Sequence, residues 1–155
     1  MKDYGELCRC AAVTGHRDLK WGLDEAALEK TFENLAERGV KTFFSGLATG
    51  FDTVCLSVLF RLREKKEIFI VGCAPFEKQS AHWSEKDKEV YEKVCARLDE
   101  RVVIGEKYTP YCMHARNRFM VDRSGYLVAY LKRRSGGTFY TVNYAREKGR
   151  EIIYI

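Results

Sequence analysis

Ser45-Gly46-Leu47-Ala48-Thr49-Gly50-Phe51-Asp52 follows a short β-branched and aromatic run, residues 41–44, and precedes apolar residues at helical spacing. That pattern reads as a strand, a small-residue turn and a helix start. Gly46 and Gly50 let the backbone turn tightly and approach a bound group. Asp52 is placed to cap the helix, and the free N–H groups at a helix start attract an anion. Two other places repeat the design. Thr14-Gly15-His16-Arg17 follows the first apolar strand, and Ser135-Gly136-Gly137-Thr138 follows the strand at 126–131 and opens the last helix. Three such loops after three strands predict one ligand site at one edge of a sheet.

Outward from these loops, strands and helices alternate. Strands are expected at 10–14, 41–44, 67–73, 101–104, 126–131 and 151–155. Helices are expected between them, with Asp24 and Ser84 as N-caps and Gly39 and Gly149 as stops. Short connections and continuous apolar strands demand a parallel sheet with right-handed crossovers and helices on both faces. The expected fold is α/β: a single-domain, Rossmann-like three-layer sandwich with a mostly parallel sheet, spanning residues 1–155. No internal repeat or second domain is visible.

The 155 residues suffice for one domain with a real core. No apolar run approaches the roughly 20 residues of a membrane span, and residues 1–6 carry no signal-peptide apolar region. The expectation is a cytoplasmic protein with no membrane partner. The net charge of +5 fits an anionic ligand without pointing to nucleic acid. The six cysteines form no C-x-x-C pair, so reduced and largely buried thiols are expected. Cys8-Arg9-Cys10 reads as two sides of a strand entering the sheet. With three histidines at no usable spacing, no metal site is expected, and no cofactor.

Each motif carries its own chemistry. Gly136 and Gly137 expose N–H groups, Ser135 and Thr138 add hydroxyls, and Lys132, Arg133 and Arg134 add charge, all suited to phosphate or ribose. The loop is neither a Walker A sequence nor G-x-G-x-x-G. Arg17 suits a phosphate. His16 suits a base, a ribose or a proton-carrying role. Arg116 and Asn117 either face the cleft or lie on a solvated helix face with an i,i+4 pair between Arg118 and Asp122; the local pattern favours the second. Gln79 and Trp83, four apart, share one side of a helical turn. Trp83 either stacks on a base or belongs to a lid packed on its own apolar residues, which is the expected arrangement, and His82 is structural.

The three loops together resemble the SLOG superfamily, which joins LOG-type phosphoribohydrolases, DprA DNA-processing proteins and YpsA-like bacterial proteins. Ser45 to Asp52 is similar to the DprA signature of Ser-Gly, small residues, Gly and a hydrophobic-Asp pair. Ser135-Gly136-Gly137-Thr138 with Thr141 and Ala145 resembles the closing pattern of DprA and YpsA-like proteins. The YpsA-like group is the nearest in likeness, through Thr14-Gly15-His16-Arg17, Pro75-Phe76 with Gln79 and Trp83, Arg116-Asn117 with Met120 to Asp122, and Gly136-Gly137-Thr138. The resemblance implies a cleft for a nucleotide or a nucleotide-derived phosphorylated ligand such as an ADP-ribose-like molecule, bound for sensing or regulation. In that reading Ser45, Gly46, Gly50, Gly136, Gly137 and Thr138 cradle phosphate and ribose. Arg17 and Arg116 supply charge, and Asp52 caps its helix or accepts from a ribose hydroxyl.

LOG-type enzymes carry Pro-Gly-Gly-x-Gly-Thr-x-x-Glu. Aligning Gly137-Thr138 on that Gly-Thr puts Thr141 where their glutamate stands, and threonine serves N-glycosidic cleavage less well than a carboxylate. An alternative carboxylate, Asp52 or Asp122, must reach the cleft. A phosphoribohydrolase is therefore the second reading, and a DprA-like single-strand binder the third. The modest charge and the lack of an evident basic-aromatic stripe argue against the third. Related SLOG proteins often self-associate, and this chain is rich in aromatics, which points to a homo-oligomer.

Overall fold

A computed structural model describes residues 2–155. Among these residues, six strands alternate with five α-helices. They are β1 (Cys10–Gly15), α1 (Glu25–Glu37), β2 (Thr42–Ser45), α2 (Phe51–Arg63), β3 (Phe69–Phe76), α3 (Glu85–Arg97), β4 (Glu100–Gly105), α4 (Cys112–Asp122), β5 (Tyr126–Tyr130), α5 (Gly136–Glu147) and β6 (Glu151–Tyr154). The sheet order is β4-β3-β2-β1-β5-β6, and every neighbouring pair is parallel. The order reverses between β1 and β5, where Gly15 pairs with Tyr130 at the carboxyl ends of the two strands. A crevice opens at such a reversal because the connections from the two strands leave toward opposite faces.

The core lies in two layers, one on each face of the sheet. Residues that alternate along β1 supply both: Ala11 and Val13 pack with Leu28, Phe32 and Leu35 of α1 and Leu59 of α2, while Cys10 and Ala12 pack with Met120 of α4 and Val142 of α5. The caps form where the sequence indicates them. Asp24 accepts from the Ala27 N–H at 3.0 Å, and Ser84 accepts from the Asp87 N–H at 3.1 Å. The architecture is the expected three-layer α/β sandwich.

Three local expectations are corrected. Residues 7–9 form a 3-10 turn, and the strand begins only at Cys10. Cys8 is accordingly exposed, whereas Cys10, Cys55, Cys73 and Cys112 are buried. β3 starts later and runs on through Pro75. β2 ends at Ser45 opposite Gly72, so beyond that point β3 has β4 as its partner on one side. A proline, lacking an N–H, is tolerated in such a half-paired segment. Finally, α2 begins at Phe51 with Gly50 as its N-cap, so Asp52 sits inside the first turn and does not cap it.

Candidate functional site

A cavity of about 450 Å³ lies at the reversal between β1 and β5. The end of β1 contributes Thr14 and Gly15, and the loop after it contributes His16, Arg17 and Asp18. The loop after β2 and the first turn of α2 contribute Ala48 and Asp52. Pro110 lines it too, α4 contributes Met113, His114, Arg116 and Asn117, the loop after β5 contributes Arg133, and the start of α5 contributes Gly137 and Thr138. The loops at 14–17, 48–52 and 133–138 thus converge on one hollow.

Backbone contacts hold them there. The Phe51 N–H donates to the His16 carbonyl at 3.2 Å, tying the start of α2 to the loop after β1. Gly50 has φ +79°, and its Cα lies so close to the Arg17 backbone that a Cβ would sit 2.2 Å from the Arg17 oxygen. Only glycine permits both. His16 Nε2 accepts from the Lys132 N–H at 2.9 Å, which joins the loops after β1 and β5. Burial, then the Arg133 charge, lowers the His16 pKa, keeping the ring neutral with its proton on Nδ1.

Arg116 and Asn117 are 5% and 8% exposed. Neither lies on the solvated helix face favoured by the local pattern, which carries Arg118 and Asp122 instead. Arg116 Nη1 donates to the Gly46 carbonyl, and Nε donates to Asn117 Oδ1 at 2.6 Å. Asn117 Nδ2 donates to Thr141 Oγ1 at 2.8 Å, and that hydroxyl donates to the Gly137 carbonyl at 2.8 Å. The chain of bonds fixes the start of α5 against α4. Thr141 is committed within it and presents no free acid or base. Asp122 is instead held by the Tyr144 hydroxyl at 2.5 Å and does not line the cavity.

Asp52 does reach it. Oδ2 accepts from the Ala48 N–H at 3.2 Å, and Oδ1 is buried without a hydrogen-bond partner. Burial raises its pKa to about 6, while Arg116, the Ala48 amide and Arg17 pull the other way. A carboxyl in a poorly solvated site resists ionisation even beside cations when desolvation is the larger effect. Burial also lowers the Arg116 pKa, and the guanidinium stays charged.

Not every candidate lines the cavity. Ser45 is fully buried, its hydroxyl accepting from the Leu47 N–H at 3.3 Å. Gly46 is covered by the Arg116 guanidinium. Gly50 lines a separate hollow on the other side of its loop. Ser135 is the exposed N-cap of α5, with Gly136 next to it at φ +86°. Gln79 is buried, reaching the Gly46 and Leu47 carbonyls at 3.4 Å, and Trp83 packs edge-on against Tyr91. Trp83 does not line the cavity.

His114 lines the cavity and was not singled out by the sequence. Its Nδ1 is buried without a partner, and its ring centroid lies 3.9 Å from that of Tyr140. The signal was its i,i+3 spacing from Asn117, which puts both on one helix face. A second overlooked feature spans α4 and α5. His114, Tyr140 and Tyr144 form a ladder of rings, with Arg118 donating to the Tyr140 hydroxyl and Lys148 over the Tyr144 ring. A basic-aromatic stripe therefore exists, assembled from two helices.

Comparison with known proteins places the chain. A UPF0398 protein of Bacillus licheniformis is 29% identical over 150 residues, covering 88% of this chain and 82% of that protein. The UPF0398 protein YpsA of Bacillus subtilis is 26% identical over 154 residues, covering 90% of this chain and 85% of that protein. Among solved structures, DprA of Helicobacter pylori matches 94% of this chain with a TM-score of 0.68 at 14% identity, and DprA of Streptococcus pneumoniae matches 93% with 0.64 at 19%. The chain spans 64% and 49% of those two proteins, and the likeness is one of fold. The YpsA family model, described as the YspA SLOG family, matches residues 12–154. The chain therefore belongs to the YpsA family of SLOG proteins.

Proposed function

We propose that this chain binds a nucleotide, or a nucleotide-derived phosphorylated ligand, in the cavity between β1 and β5, and serves as a cytoplasmic sensor or regulator that self-associates. The observation that carries the reading is the meeting of the α5 N-terminus with Arg17 and Arg133 on one hollow of nucleotide size. The first N–H groups of α5 have no partner within the helix, and the partial positive charge there favours phosphate. Gly137 has open space where a side chain would begin, so the backbone there is bare.

The test is calorimetric titration with nucleoside monophosphates and ADP-ribose. Gly137→Asp puts a carboxylate into that open space without steric cost, and is expected to abolish binding while leaving the thermal unfolding curve unchanged. Equal affinity in the variant removes the α5 loop as the phosphate seat. A hydrolytic version of the reading has less support, because Thr141 is locked between Asn117 and Gly137. Release of free base from a monophosphate in the same mixtures is its signature.

The ring ladder on α4 and α5 favours one further reading, binding of single-stranded nucleic acid, the ligand named for the Helicobacter pylori DprA. Stacked rings beside cations suit successive bases. An oligonucleotide whose binding weakens as salt rises, and is indifferent to Gly137→Asp, selects that reading.

A further inference from the structure

The carboxyl group of Asp52 has half of its hydrogen-bonding capacity spent inside the protein and half left over. Oδ2 accepts from the Ala48 N–H. Oδ1 has no partner, the residue is 6% exposed, and the side chain lines the cavity that holds the α5 N-terminus. A buried acceptor without a donor is costly, and native structures rarely keep one without a use. The cavity that this side chain lines is where a donor for it can come from.

An ionised carboxylate is acceptor-only. It repels phosphate, so the phosphate of a bound ligand sits elsewhere in the hollow, at α5 and Arg17. Asp52 nevertheless lies near enough to Arg17 for that charge to act on its carboxyl. In any nucleotide the group directly bonded to the phosphate is the sugar, and its hydroxyls are donors that a carboxylate can accept. The base lies one unit further away.

We infer that Asp52 Oδ1 receives a ribose hydroxyl, so that the cavity selects ligands with an intact 2′,3′-diol over their deoxy counterparts. This rests on the nucleotide reading above. The selection comes mainly from the penalty side: a deoxy sugar leaves Oδ1 as unpaired as it is in the empty protein, while the ligand loses its own hydration. A site built to bond a hydroxyl discriminates strongly against the analogue that lacks it. A single lost hydrogen bond of this kind corresponds to roughly a tenfold to hundredfold loss of affinity.

The experiment titrates the wild-type protein with the four ribonucleoside monophosphates and with their 2′-deoxy and 2′,3′-dideoxy forms. The expected result is at least one ribonucleotide that binds at least about tenfold tighter than its dideoxy form. Asp52→Asn, which turns an amide N–H₂ toward the cavity while its oxygen keeps the Ala48 bond, is expected to narrow that ratio. Thermal unfolding reports whether the variant is folded, and the wild-type comparison stands without it. Equal affinity for ribo and dideoxy forms, or affinity that follows the base and ignores the sugar, overturns the assignment of Asp52 and leaves the nucleotide reading intact. No binding by any of the nucleotides or by ADP-ribose overturns both.

Discussion

The loop from Ser45 to Asp52 separates two hollows of opposite character. On the β1–β5 side, Ala48 and Asp52 look onto arginines, histidines and a helix N-terminus. On the α2–α3 side, Leu47, Thr49 and Gly50 look onto Leu19, Val54, Trp83, Tyr91 and Val94 around a space of about 270 Å³. One turn of small residues serves both. Leu47 manages it in the left-handed region, φ +60°, which is strained for a leucine. The contrast bears on the proposed seat for a phosphate. Trp83 and Tyr91 wall the apolar hollow, whereas arginines line the β1–β5 one and none lines the other.

The sharpest way to break the contrast is to remove the wall. Gly50→Ala adds a Cβ to a residue at φ +79° that already touches the Arg17 backbone. Backbone strain and overpacking each cost about 1–3 kcal/mol, so a loss of about 4 kcal/mol is expected. Urea unfolding measures it. A loss under about 1 kcal/mol means that the two loops are not locked together as described.

A smaller effect concerns the cost of the polar side. The Asp52 carboxyl, ordinarily near 3.8, titrates near pH 6 in the folded protein because burial opposes its charge. Between those values the folded state holds a proton that the unfolded chain has released. The contribution of Asp52 to stability is therefore full below about pH 4, falls as pH rises through 6, and is level above. The fall is on the order of 2–3 kcal/mol. Asp52→Asn lacks it, so the stability of wild type relative to the variant is expected to drop across that window in denaturant titrations at pH 4 to 8. A flat difference means that Asp52 is ionised at ordinary cost and the cavity is wetter than its lining implies. The same cost explains why a ligand hydroxyl at Oδ1 is worth having.

These two hollows also divide what was legible in the sequence from what was not. Strand positions, layers and helix ends follow from local signals: the β-branched runs, Asp24 and Ser84 at their N-caps, and the small-residue turns that end β1 and β2. The convergence of the loops at 14–17 and 135–138 follows from the parallel topology. Arg116 does not. Its burial depends on the Gly46 carbonyl, 70 residues away, and no pattern within α4 records that acceptor. Of the two readings of Asp52, the helix cap fails, and for a local reason. An aspartate after Gly-Phe has the look of a cap, but φ +79° at Gly50 starts the helix earlier and turns the carboxylate inward, where the Ala48 N–H meets it. Arg116, whose acceptor lies 70 residues away, is the residue that the local pattern left on the wrong face, whereas Arg17 and Arg133, also charged residues of the cavity, lie in loops that the sequence marked.

The smallest effect sharpens the comparison from the greasy side. α3 buries none of its residues fully, and Val90 on its outer turn is 37% exposed at the lip of the apolar hollow. Val90→Lys keeps the aliphatic stem on that lip and sends the ammonium to water. Stability is expected to change by no more than about 0.5 kcal/mol, and nucleotide affinity not at all, because the wall formed by Leu47 to Gly50 stands between the two spaces. Calorimetry on this variant is informative because the added charge is positive. If the phosphate were drawn to the α2–α3 side, a lysine there would strengthen binding. A gain in affinity would move the ligand across the loop, and an unchanged value keeps it on the side of Arg17 and α5.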